Sequence, residues 1–62
     1  MKLSEAQDLA KQVRLDDPAI RILAFPFYGK NSYELSCEDT RTGYPFVLRG
    51  WDDWSRRRGI EI

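Results

Sequence analysis

Between Leu3 and Val13 the apolar residues Leu3, Ala6, Leu9, Ala10 and Val13 recur at three- and four-residue spacing, while Glu5, Asp8, Lys11, Gln12 and Arg14 fill the opposite side. That period predicts an amphipathic helix with one packed face. Ser4 and Gln7 have the spacing of a capping box, which sets the expected start at Ser4. Asp17 precedes Pro18, and proline disfavours helical geometry in the residue before it, so the helix is expected to end near Leu15 or Asp16.

The pattern then shortens. From Ala19, the enrichment in Ile20, Ile22, Leu23, Phe25 and Phe27 suits a strand, closed by a turn at Gly29, Lys30 and Asn31. Tyr33, Leu35 and Cys37 alternate with Ser32, Glu34, Ser36 and Glu38, which predicts a second strand with one apolar face. After the polar connection Asp39–Gly43, Tyr44, Phe46 and Leu48 repeat the alternation against Pro45, Val47 and Arg49. Proline cannot donate to a ladder. Pro26 and Pro45 therefore place the first and third strands at the edges and the second in the centre.

A second, short helix is expected over Gly50–Gly59. Asp52 and Asp53 stand near its start and Arg56, Arg57 and Arg58 near its end, the polarity a helix dipole favours. Gly59 suits the left-handed position after it, with Ile60 folding back on Trp54 or a neighbour. The elements sum to one α+β domain over residues 1–62: a helix, a three-stranded antiparallel meander and a short helix, in the order α-β-β-β-α.

Composition narrows the possible partners. At 62 residues the chain is near the lower limit for burying a core without disulfides or metals, so most large apolar side chains must be used. Ten basic residues balance ten acidic ones, so no global field draws the chain to nucleic acid or anionic lipid. Cys37 is the lone cysteine, and Met1-Lys2 is followed by a polar amphipathic stretch rather than the apolar core of a signal peptide; a cytoplasmic protein is expected. The apolar run Ile22–Tyr28 is too short to span a bilayer and holds Pro26, so no membrane partner is expected.

Candidate chemistry is sparse. The chain has no histidine, the usual base for a serine or cysteine nucleophile. Cys37 shares a strand face with Tyr33 and Leu35 and is expected to pack in the core. The acidic pairs Asp16-Asp17, Glu38-Asp39 and Asp52-Asp53 are adjacent in sequence and do not share a face; they read as caps and turns rather than metal ligands. With no Gly-rich phosphate loop either, neither an enzyme nor a cofactor or metal site is expected.

Two surfaces remain. Arg56, Arg57 and Arg58, with Arg49 and the flanking Trp51 and Trp54, are the candidate nucleic-acid contact. Against it, cations at a helix C-terminus are favourable with no ligand, and Glu34 and Glu38 on the central strand would repel phosphates. If Ile20, Ile22 and Ala24 face the first helix, Leu23 and Phe25 face away beside Val47, unless a bulge at Pro26 changes the register. Either the second helix covers that face with Trp51 or Trp54, or it is left for a partner. Leu23, Phe25, Val47, Trp51 and Trp54 are thus the candidate protein interface. The expected function is a non-enzymatic protein-interaction module, a regulator or accessory subunit, that binds another protein or a second copy of itself. The alternatives are a nucleic-acid binder using the Arg cluster and a small enzyme or ligand binder of unrecognised chemistry.

Overall fold

Helix α1 spans Leu3–Asp16 and buries Ala6, Leu9, Ala10 and Val13, the apolar stripe of its sequence; Leu3, at the margin, stays 39% exposed. The computed structural model describes the backbone of residues 1–60 and the side chains of residues 1–58. The capping box does not form. Lys2 is the N-cap, extended at φ −69° and ψ 157°, with no side-chain cap, and its carbonyl accepts the Ala6 amide at 3.0 Å. The cause is tertiary: Tyr33 N–H donates to the Met1 carbonyl at 2.8 Å, and the Met1 ammonium donates to the Tyr33 carbonyl at 3.1 Å. This pairing pins the chain start as a strand-like segment, so the helix begins directly after it and draws Ser4 and Gln7 inside. At the other end the sequence rule holds, with Asp17 extended before Pro18 and its amide on the Val13 carbonyl at 2.9 Å.

Strands β1 (Ile20–Ala24), β2 (Leu35–Asp39) and β3 (Tyr44–Leu48) form an antiparallel sheet in the order β1-β2-β3, with the alternating strand in the centre. Its partners are Ile22↔Cys37 and Ile20↔Asp39 on one side, Leu35↔Leu48 and Cys37↔Phe46 on the other. The register slips between Ile22 and Ala24, where Ala24 pairs with Ser36 and Leu23 is the extra residue. A bulge of this kind sends two successive side chains to the same side and reverses the phase of the residues after it. Leu23 and Ala24 are both exposed, and Phe25, expected on the far face, packs against the core from the helix side. β1 also ends earlier than its sequence suggests: Phe27 meets Tyr33 only in an isolated bridge, leading into a turn with Gly29 at φ +150° and Asn31 at φ +64°.

Helix α2 covers Trp51–Ile60, with Asp52 and Asp53 in its first turn and Arg57 and Arg58 in its last. The Asp53 carboxylate reaches back to accept the Arg49 amide at 2.8 Å. The helix runs through Gly59, which therefore does not terminate it; the side-chain contacts of Ile60 lie outside the described residues. Trp54 is 4% exposed in one cluster with Leu9, Val13, Ile20, Leu35, Cys37 and Leu48. Its indole N–H donates to Asp16 Oδ2 at the end of α1, at 2.9 Å. Both helices thus cover the same face of the sheet, and among the described residues the other face is left without a layer.

Candidate protein interface

The uncovered face is built by strand alternation and by the bulge. Ala24, Ser36 and Val47 lie side by side across the three strands, with Leu23 next to Ala24 and Pro45 two residues before Val47. Leu23 is 48% and Val47 47% exposed, whereas Leu48, one residue on, is 2% exposed. Charges on this face are self-compensated: Arg21 stands opposite Glu38 in the register, and Arg49 Nε lies 3.6 Å from Glu34 Oε2. The result is a small apolar strip between opposite-charge pairs, carrying no excess charge.

Of the five residues expected at a protein interface, the fold brings Leu23 and Val47 together and separates the rest. Phe25 and Trp54 belong to the core side, so neither is available on the open face. Trp51 is 42% exposed at the start of α2, beside Arg49 and Arg56. One surface feature arises where the composition suggests strand: Phe27 and Tyr28 are 60% and 71% exposed where the chain turns, and the Phe27 ring sits 4.9 Å from that of Tyr33. The Gly29 after them is the signal in the sequence, since a run of aromatics entering a turn is leaving the sheet.

The arginines expected to contact nucleic acid each hold a carboxylate. Arg56 reaches Asp53 at 2.6 Å, Arg58 reaches Asp16 at 3.2 Å, Arg57 lies 4.0 Å from Asp39, and Arg49 faces Glu34. Arg57 also lays its guanidinium over the Phe46 ring, 3.8 Å from the centroid. Three of the acidic residues in adjacent pairs therefore act as anchors. The Trp54 indole holds the Asp16 carboxyl below the usual range, aided by Gln12 and Arg58. The Arg49 amide does the same for Asp53, with help from Arg56.

Asp39 is the centre of the densest polar cluster, and no local pattern in the sequence marks it. Arg41 donates to Asp39 from its backbone amide and from Nε, each at 3.0 Å, and its Nη2 reaches Asp17 Oδ2 at 2.7 Å. The Arg41 side chain depresses the Asp39 pKa and the Arg41 pKa rises in return. This clasp ties the loop after α1 to the β2–β3 turn, where Gly43 adopts φ +78°. Cys37 is fully buried, and burial pushes its thiol up to about 11 against the opposing charge of Arg57.

Among the described residues no three His, Cys, Asp or Glu side chains are grouped to hold a metal ion, and no helix is long and apolar enough to cross a membrane. Comparison of the chain with protein-family models, curated proteins and solved structures finds no match.

Proposed function

We propose that this chain is a non-enzymatic protein-interaction module, a regulator or accessory subunit that docks a partner protein on the open face of its sheet. One observation carries the reading: α1 and α2 share one side of the sheet and leave Leu23 and Val47 about half exposed on the other. A three-stranded sheet normally gains its stability from burying one face, and an apolar strip kept on its second face needs another use. Charge supports a protein over nucleic acid. The open face is balanced by Arg21 with Glu38 and Arg49 with Glu34, and Arg56 and Arg58 must break short ion pairs to meet a phosphate. The thiol of Cys37, kept unpaired in the core, fits a reducing compartment such as the cytoplasm.

The test is a pair of charge insertions, Leu23→Asp with Val47→Asp, in the full chain. The wild type should retain a protein at fixed stoichiometry, or a second copy in sedimentation, and the double variant should lose it while melting as the wild type does. Retention unchanged by the substitutions, or recovery that nuclease abolishes, would contradict the reading.

A further inference from the structure

Side chains alone hold α2 to the rest of the molecule. Among the described residues no backbone hydrogen bond joins it to another element, whereas α1 follows directly on the backbone pairing of Met1 with Tyr33. Trp54 is the one buried side chain that α2 contributes, while α1 buries Ala6, Leu9, Ala10 and Val13. The other ties are polar and converge on two carboxylates outside the helix. Asp16, at the end of α1, takes the Trp54 indole N–H at 2.9 Å and Arg58 at 3.2 Å. Asp39, at the end of β2, lies 4.0 Å from Arg57, whose guanidinium covers the Phe46 ring.

The seam between β3 and α2 is loosely made. A shallow groove of about 560 Å³, open to solvent, runs along it. Arg57 Nε is buried there with no acceptor among the described residues, a cost of the docked helix that water would relieve. At its start α2 is complete in itself: the Asp53 carboxylate accepts the Arg49 amide at 2.8 Å and meets Arg56 at 2.6 Å. Neither bond has to break for the helix to leave β3, so the junction falls between Leu48 and Arg49.

We infer that α2 is a charge-latched strap, which swings off as a unit while α1 and the sheet stay folded. An element with few buried apolar side chains and no backbone ties opens at lower free energy than the core it covers. Trp54 supplies the apolar anchor, and Asp16 and Asp39 the latch. Release frees the indole and bares Leu48 and the Phe46 ring, so the helix side of the sheet presents a second apolar surface only in the released state. The strap lies on that side, and it stands or falls separately from docking on Leu23 and Val47.

Hydrogen exchange of the isotope-labelled full chain, under native conditions with rising urea, tests the strap. The Trp54 indole N–H and the α2 amides should open with a lower free energy and a smaller urea dependence than the Leu35–Asp39 amides of the central strand. Asp16→Asn keeps an oxygen acceptor for the indole and removes the charge that Arg58 meets, and it should speed Trp54 exchange about threefold. Ala6→Gly, buried on α1 but outside the Trp54 cluster, should speed the central-strand amides about fivefold and leave the Trp54 indole unchanged, because strap release does not unfold α1. Equal opening free energies for the indole and the central strand, equal acceleration of both by Ala6→Gly, or Trp54 exchange untouched by Asp16→Asn would overturn the proposal.

Discussion

The two faces of this sheet are made from the same strands and have opposite fates. On the helix side Leu35 and Cys37 are fully buried among Leu9, Val13, Ile20, Leu48 and Trp54; on the other side Leu23 and Val47 remain about half in water. One residue along β3 separates Val47 from Leu48. The difference is which side the connections choose. The chain returns both helices to one face, so the whole stability of a small domain rests on one layer of contacts, and the second face is free for other use.

The comparison breaks most visibly from the buried side. Leu35→Ala removes a fully buried side chain from the central strand and should cost about 3 kcal/mol, a large share of what a domain this size holds. Urea unfolding followed by circular dichroism would measure it, and a loss below about 1 kcal/mol would mean that the core lies elsewhere.

Phe25 sharpens the contrast, because its sequence position suggests the open face and the bulge delivers it to the core side. Phe25→Asp should destabilise by about 2 kcal/mol from lost apolar burial alone. Leu23→Asp, two residues away, should stay within about 0.5 kcal/mol of wild type. Equal losses at the two positions would erase the distinction between the faces.

The polar rim of the helix side gives a smaller, pH-dependent effect. The pKa values of Asp16, Asp39 and Asp53 are lowered by the Trp54 indole, the Arg41 side chain and the Arg49 amide respectively. Groups depressed in the folded state stabilise it fully above the unfolded carboxylate value of about 3.9, and that contribution is lost as pH falls through the folded values. Melting temperature should therefore drop on acidification below about pH 4. At the alkaline end the sign reverses. Cys37 is raised to about 11 by burial, so its neutral thiol stabilises fully below about pH 9 and loses that contribution as pH rises through 11. The same burial predicts slow reaction of Cys37 with a thiol reagent in the native protein and fast reaction in denaturant. Equal rates would place it outside the core.

Much of this was legible from periodicity. The stripe of α1, the alternation of β2 and β3, the central place of β2 and the charge polarity of α2 are local patterns, and each appears where its spacing predicts, except that β2 starts at Leu35 and runs to Asp39 while Tyr33 is left in an isolated bridge to Phe27. What failed to show locally was decided by distant pairings. The Ser4–Gln7 capping box gave way because Met1 pairs with Tyr33, 32 residues along the chain. No residue type marks the bulge at Leu23, so Phe25 and Leu23 shared an expected face that the register divides. The side chosen by α2 has no period of its own either: Trp54 is apolar enough for either face, and the bond from its indole to Asp16 joins α2 to the end of α1. The candidate surface was half visible for that reason: Leu23 and Val47 lie on the open face as alternation predicts, and Phe25 and Trp54 are displaced from it by tertiary geometry.

That side choice is the central claim, and the nuclear Overhauser contacts of the Trp54 indole ring test it most directly. With both helices on one face, the ring should show cross-peaks to core side chains of its cluster, Val13 and Leu48 among them, and none to Leu23 or Val47. Cross-peaks from the indole to Val47, with none to Val13, would place α2 on the opposite face and close the surface on which the proposed function rests.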